Sequence, residues 1–408
     1  YLNHCLALGD CAPVAGAEIV SCSTEKELLV KWTELIQKEN PDILIGYNIF
    51  GFDYDFMFRR SLETDCTREF LALSRNKGHL SAKYSEQNDE WSLEQKKITI
   101  ASGPFDMKYF NMVGRFQIDL YTYFRREFNL SSYKLDDVSC EFISDKISKY
   151  EFCEGNTVLY SGNLKGLQAQ DFIHLEIVEY TSEQINDGQK YRVLEIRPET
   201  KCFVVEGTVP FPKSAKNTVL RWGLAKDDVS PQDIFRLSNG SAQDKAIVAK
   251  YCIQDCNIVQ QLLMKIDILT GYNEMARICS VPMKYLVFRG QGIKLTSCLA
   301  KYCMNRNTLM PDLTAAYSEE TDVNHDYEGA IVLPPKCGMY IDRPVACVDY
   351  SSLYPTIIIS NNLSQDSKVW SKEYDVKGQL IKENLESAAV DGLQDQGYDY
   401  SDIEYDNF

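Results

Sequence analysis

The sequence predicts an α/β fold that is interrupted by an all-β module and followed by a mixed region. Three observations predict it: a helix-then-strand order between Thr24 and Ile45, a shift to β-rich text from Lys146 to Trp222, and a return of helical periodicity near Ala242. Glu25, Leu28, Leu29, Trp32, Leu35 and Ile36 recur at helical spacing behind a Ser/Thr start, and Pro41 ends that helix. Asp42-Ile43-Leu44-Ile45 before Gly46 reads as a short buried strand, and helix followed by strand favours an α/β layer. Phe52 to Arg60 reads as helix again.

Phe116 to Phe128 opens as a strand at Gln117-Ile118-Asp119-Leu120 and turns into a helix rich in aromatics and arginine. Within the β-rich text, Phe172–Ile177 and Tyr191–Ile196 read as strands around the turn signal Asn186-Asp187-Gly188. Helical spacing then links Ala242, Val248, Tyr251, Val259, Leu262 and Leu263, and a further helix is expected from Gly290 to Tyr302. After Asp326 the text reads as strands, and from about Glu373 it is acidic, rich in tyrosine and turn-prone.

With 408 residues, 44% of them hydrophobic, the chain can bury a large core and divide into two or three domains. No apolar run reaches the length needed to cross a bilayer, so no membrane partner is expected. The net charge of −16 counts weakly against a nucleic-acid partner, because gripping phosphates needs clustered Lys and Arg, but net charge is not local charge. The 14 cysteines show no CxxC pair and no His partner at zinc spacing, which predicts buried free thiols in a reducing compartment. The opening has no signal-peptide pattern, and Tyr1 is not an initiator Met, so the text is expected to begin inside a longer protein.

Three carboxylates stand out. Asn48 and Asp53 straddle a glycine turn between the strand and the next helix; at that helix's N-terminus Asp53 suits an anion's place, although on spacing alone an ordinary N-cap is the plainer reading. Tyr251 and Asp255 lie four apart and share a helix face, where a phenol beside a carboxylate orients a water on a metal; a solvated face is the plainer reading. Two carboxylates held close repel unless a cation sits between them, which is the logic of two-metal phosphodiester cleavage. In Val345-Ala346-Cys347-Val348-Asp349 an apolar strand is expected to deliver an Asp, and the small-residue turn after it, Ser351-Ser352, offers backbone N–H groups to phosphates. Asp349 there suits Mg2+, although a strand-capping Asp explains it too.

Asp349 to Pro355, DYSSLYP, resembles motif A of the family B DNA polymerases, DxxSLYP. In the family's order, Asn48 to Asp53 (NIFGFD) resembles the second exonuclease motif and Tyr251 to Asp255 (YCIQD) the third. Tyr327-Glu328-Gly329-Ala330 resembles the linker motif that contacts template. Val281-Pro282 with Arg289-Gly290-Gln291, and Gln117 to Leu120 with Leu130 to Leu135, resemble the delta-like branch. The insert and Ser360 to Ser364 resemble polymerases of large DNA viruses of algae and protists.

The resemblance implies an RNase H-like 3′→5′ exonuclease over 1–145 and 223–277, a β-rich insert over 146–222, a linker over 278–340 and the start of an α+β palm over 341–408. It implies that Asp53 and Asp255 bind metal, Tyr251 positions the attacking water, and Asn48 with Phe52 holds the primer end. At the palm, Asp349 and the carbonyl of Tyr350 would hold metal, and the turn Ser351, Ser352, Leu353 and Tyr354 would face the triphosphate. Tyr354 would exclude a ribose 2′-OH. Tyr327, Gly329 and Arg289 would contact DNA. The implied cofactor is Mg2+, with Mn2+ as a substitute; the implied partners are primer-template DNA, dNTPs and a sliding clamp, in viral DNA replication in the host nucleus or a cytoplasmic viral factory.

The resemblance also departs from the family. The first exonuclease motif is expected before Tyr1, and the later polymerase motifs, one with a Lys for the triphosphate and one with DTD, beyond Phe408, so this piece alone is expected to be inactive. A metal-free scaffold derived from a polymerase is the rival reading, but Asp53, Asp255 and Asp349 are all present. A stand-alone exonuclease leaves DYSSLYP unexplained. The mixtures at Tyr121–Arg126 and Lys284–Lys294 suit either DNA contacts or half-buried helix faces.

Overall fold

The computed structural model describes residues 2–100, 103–178, 182–211, 219–225, 230–310, 332–364, 367 and 370–385. The chain forms two units, Tyr1–Ser318 and Glu319–Phe408.

The first unit begins with β1 (Asn3–Leu8) paired in parallel with β2 (Ala17–Cys22), then α1 (Glu25–Glu39) and β3 (Ile43–Gly46). Helix α1 starts as its text suggests: Thr24 accepts the Glu27 N–H at 3.2 Å while the Glu27 carboxylate reaches back to the Ser23 N–H at 2.7 Å. It stops where Asn40 takes a left-handed conformation, which asparagine tolerates. A π-turn (Ile49–Asp53) leads into α2 (Tyr54–Glu63), and α3 (Thr67–Phe70) follows. Hairpins β4–β5 (Lys83–Ser85, Glu90–Ser92) and β6–β7 (Glu94–Ile100, Gly103–Tyr109) precede β8 (Phe116–Asp119), which pairs in parallel with β3. Then come α4 (Leu120–Glu127) and α5 (Leu135–Phe142).

The β-rich text folds as β9 (Ser144–Cys153), β10 (Asn156–Ser161), β11 (Phe172–Val178), β12 (Ser182–Gln184), β13 (Tyr191–Arg197), β14 (Cys202–Val205) and β15 (Val219–Ala225). Round the sheet β11 pairs with β13, β13 with β14, β14 with β10, β10 with β9, β9 with β15 and β15 again with β11, so six antiparallel strands close into a barrel. Closure removes the exposed edges an open sheet would leave. The Asn186-Asp187-Gly188 signal corrects one expectation: it lies in a 3-10 turn after β12, and β11 meets β13 only at Phe172 and Ile173 instead of forming a simple hairpin with it. The barrel interior is apolar, with Trp222 fully buried and its Nε1–H donating to Ser161 Oγ at 2.9 Å.

After the barrel come α6 (Pro231–Ser238), α7 (Ala242–Ile266), α8 (Ile268–Cys279), α9 (Met283–Phe288) and α10 (Gln291–Asn305). Ser241 and Asp244 cap α7 reciprocally. Ile258, Val259 and Leu262 of α7 share one core with Ile118, Leu120 and Phe124 and with barrel residues Ile173, Phe203 and Trp222. The barrel is therefore packed into this unit and not tethered to it as a separate body. Gly223 lets α5 approach β15, since a Cβ there would lie 2.5 Å from Cys140 Sγ. A second core gathers Leu29, Phe50, Tyr54, Phe58, Phe70, Met107, Phe110 and Val287.

The second unit contains α11 (Leu353–Ser360) and a hairpin of β16 (Trp370–Tyr374) with β17 (Leu380–Leu385). Here the sequence reading is corrected. Residues 332–350 have no regular structure, and Val345 and Val348 are 70% and 92% exposed, so the apolar run before Asp349 is not a strand. A strand needs a neighbour to take its N–H and C=O groups, and no described strand pairs with this run. The cysteines are a second correction: all 14 are free, but only Cys22, Cys66, Cys202 and Cys279 are buried. No described helix is long and apolar enough to cross a membrane.

Candidate active site

Strands β3 and β8 run side by side with Gly46 opposite Asp119, so the turn after β3 begins beside a buried carboxylate. Asp119 accepts three backbone donors: the Asn48 N–H at 2.7 Å, the Phe50 N–H at 3.0 Å and the Tyr121 N–H at 3.0 Å. One side chain thus holds the turn that carries Asn48 to Asp53 and caps α4. Burial pushes the Asp119 carboxyl up to about 6 even against these N–H donors, and the charge of Asp53 adds to the rise. Tyr47 fixes the other side of the turn by donating its hydroxyl to the Tyr133 carbonyl at 2.7 Å.

Held this way, Asn48 adopts a left-handed backbone (φ 61°), and the next residues wind as a π-turn closed by the Tyr54 N–H on the Ile49 carbonyl. Gly51 leaves room for the Asn48 side chain, since a Cβ there would fall 2.3 Å from Asn48 Oδ1 and 3.3 Å from Phe105. The wide turn has a consequence for Asp53. Its backbone is already helical and its side chain makes no capping bond, so the N-cap reading is set aside. The Asp53 side chain still reaches solvent, yet desolvation by the surrounding protein raises its carboxyl above the usual aspartate value. Phe52 is 60% exposed, and its ring lies parallel to Phe56 at 5.8 Å.

Tyr251 and Asp255 lie on α7, one turn apart, on the face that continues to the buried Ile258 and Leu262. Helix α7 packs against β1 and β3. The thiol of Cys256, next to Asp255, is raised by desolvation of its sulfur and then by the charges of Asp255 and Asp53. The structure thus brings Asn48, Phe52 and Asp53 to a turn beside the helix that carries Tyr251 and Asp255. Among the described residues no group of three or more His, Cys, Asp or Glu side chains is arranged to hold a metal ion. Asp53 and Asp255 would supply part of a hard-cation ligand set and not a whole one.

In the second unit, Asp349, Tyr350 and Ser351 are exposed, with Tyr350 at 77%. Ser352 is left-handed (φ 51°) and opens α11 without a side-chain cap, so the first-turn N–H groups of the helix, at Leu353 and Tyr354, have no cap acceptor. Tyr354 is 63% exposed. Tyr327 and Gly329 lie outside the described residues. Arg289 is exposed at the end of α9, its guanidinium 5.3 Å from the Tyr285 ring. Of the Tyr121–Arg126 mixture, Arg126 is structural, donating to the Leu286 carbonyl at 2.7 Å, and Arg125 lies 5.4 Å from the ring of Tyr121 and 5.5 Å from that of Phe105.

Asp119 is the site residue that reading for site chemistry missed. The signal for it was present: an Asp closing a buried strand directly before a helix, one parallel strand away from Gly46.

Residues 2–138 match the sequence model described as DNA polymerase family B, exonuclease domain, and residues 281–398 match the one described as DNA polymerase family B. The chain belongs to DNA polymerase family B. Among curated relatives, it is 44% identical over 399 residues to the DNA polymerase of Phaeocystis pouchetii virus, covering 96% of this chain and 37% of that one. It is 36% identical over 406 residues to the DNA polymerase of Pyramimonas orientalis virus, covering 100% of this chain and 29% of that one. The DNA polymerase delta catalytic subunit of Arabidopsis thaliana is 28% identical over 363 residues, covering 89% of this chain and 25% of the subunit. The chain therefore spans roughly a third of the length of these two viral relatives.

Proposed function

We propose that the chain is part of a viral DNA-directed DNA polymerase with a 3′→5′ proofreading exonuclease, and that its first unit carries the proofreading half. The observation that carries this reading is the packing of α7, which bears Tyr251 and Asp255, against β3, whose following π-turn ends at Asp53, a carboxylate that makes no capping bond. In this reading Asp53 and Asp255 share a divalent cation, Mg2+ or Mn2+, which supplies the Lewis acid for hydrolysis of the terminal phosphodiester. Tyr251 orients the attacking water. Asn48 and the exposed Phe52 hold the primer end, the amide by hydrogen bonding and the ring by stacking on a base.

An RNase H-like description of the exonuclease is supported by the parallel β3–β8 pair with α4 directly after β8, and by the match over residues 2–138. The second unit is the beginning of the palm. Asp349 and the Tyr350 carbonyl bind metal there, Ser351, Ser352 and the free first-turn N–H groups of α11 receive the triphosphate, and Tyr354 selects against ribose. Tyr327, Gly329 and Arg289 contact template or primer. In the whole protein a sliding clamp is the expected partner, and the host nucleus or a viral factory the expected compartment.

Primer extension by the intact polymerase tests the palm assignment. Asp349→Ala is expected to abolish template-directed dNTP addition while leaving 3′→5′ hydrolysis in place, and extension at the wild-type rate would overturn the assignment.

A further inference from the structure

The acidic chain separates its charge unevenly. From Met275 to Met310 there is no Asp or Glu, but there are Arg277, Lys284, Arg289, Lys294, Lys301 and Arg306. Some of these cations are occupied: Arg277 is paired with Glu274 at 2.8 Å, and Arg306 lies 5.0 Å from the Tyr302 ring. Arg289 has no acidic partner among the described residues.

Arg289 follows Phe288 directly, and Phe288 fixes its place. That ring stacks on Tyr109 of β7 at 4.2 Å and lies 5.3 Å from Phe50 in the π-turn. Val287, one residue earlier, is buried with Met107 and Ile98 in the core beneath the β6–β7 hairpin. Lys96 stands on β6 opposite Met107, which is fully buried, and two residues before Ile98, also buried, so its side chain leaves the core-facing side of the strand. Lys96 is half-buried there. Glu94, the next residue on that side, is already held by Lys83 at 2.9 Å. Burial and then the nearby charge of Arg289 both lower the Lys96 ammonium below the usual lysine value. Two cations at one seam, one of them half-buried and neither with a carboxylate among the described residues, are a site that an anion completes.

We propose that Lys96 and Arg289 together bind a backbone phosphate of a DNA single strand where the β6–β7 hairpin meets α9. The proposal rests on the proofreading reading for the identity of the anion: the seam joins the Asn48–Asp53 turn through the Phe50–Phe288–Tyr109 rings, so a strand with its 3′ end at Asp53 has its backbone within reach of it. Lys96 is then a positioning residue, setting where the strand lies and not touching the scissile bond.

The test is binding of fluorescein-labelled oligo-dT to the 408-residue chain in EDTA, by anisotropy, across a salt series from about 50 to about 200 mM. Lys96→Met keeps an apolar stem and removes the charge. Lys96→Met and Arg289→Ala are each expected to flatten the slope of log K against log salt by about 0.7, the value for one phosphate contact on a single strand. Lys96→Arg is expected to retain the wild-type slope. Unchanged slopes in both charge-removal variants overturn the site, as does an equal flattening by Lys301→Ala, which would mean diffuse positive charge instead of a built pair. Failure of the wild-type chain to bind the oligonucleotide also overturns it, and leaves the carboxylate reading to its own test on the intact polymerase.

Discussion

The Asp119 carboxylate accepts the backbone N–H of Asn48 at 2.7 Å, across the gap between β8 and the turn that follows β3. The same carboxylate holds Phe50 and Tyr121, so the path of the turn depends on it. Asp119→Ala leaves these backbone donors without their acceptor at a site where the replaced side chain is 1% exposed. A loss of about 3 kcal/mol is expected, read as a fall in the urea midpoint with an unchanged m-value. An unchanged midpoint would mean that the turn is held by other contacts.

The pH dependence of stability follows from the same group. The folded carboxyl titrates at about 6 against an ordinary value of 3.8, so the folded state binds its proton more tightly than the unfolded chain does. Stability is therefore greatest below about pH 4 with respect to this group, and falls as pH rises to about 6, by on the order of 3 kcal/mol. Asp171 in the barrel, raised to about 6 by burial, acts in the same direction. Urea titrations at pH 4.5 and 6.5 should show a difference that Asp119→Asn reduces but does not remove; a difference unaltered by Asp119→Asn would assign the dependence elsewhere.

Asp53 is expected to be dispensable for folding. An Asp that caps a helix costs about 1 kcal/mol when replaced by Ala. Asp53 makes no capping bond, and its charge raises the buried Asp119 carboxyl. Thermal unfolding of Asp53→Ala in EDTA should match or exceed the wild-type midpoint, and a clear drop would restore the capping role.

Trp222 ties the barrel to the rest of the first unit through the core it shares with α7. Trp222→Ala is expected to cost about 3–5 kcal/mol and to shift one transition of that unit. Following the barrel and α7 with separate probes should give coincident curves. Separate curves would make the barrel an independent folding unit.

Much of this architecture is legible in the text because it is local. The Thr24 start, the Ile43–Gly46 strand and the long helix carrying Tyr251 and Asp255 each follow from residues within a few turns of one another. Long-range contacts account for the misses. The π-turn before α2 depends on Asp119, 71 residues from Asn48, and the barrel closes only because β15 pairs with both β9 and β11. At Val345–Asp349 the apolar run carried a strand signal, but β structure depends on a neighbouring strand, and no described strand pairs with it. The carboxylates proposed for proofreading were read from motifs, whereas Asp119 was passed over: its text shows only an Asp between a strand and a helix, and its bonds to the Asn48 and Phe50 N–H groups exist only once β3 and β8 are paired.

The most direct test of the account is 3′→5′ hydrolysis of a labelled single strand by the intact polymerase in Mg2+, comparing wild type with Asp53→Ala and Asp255→Ala. Removing either ligand of a catalytic cation should cost several kcal/mol of transition-state stabilisation, so hydrolysis is expected to fall by at least about a hundredfold while primer extension persists. Hydrolysis at the wild-type rate in both variants would contradict the assignment of Asp53 and Asp255 to the proofreading centre.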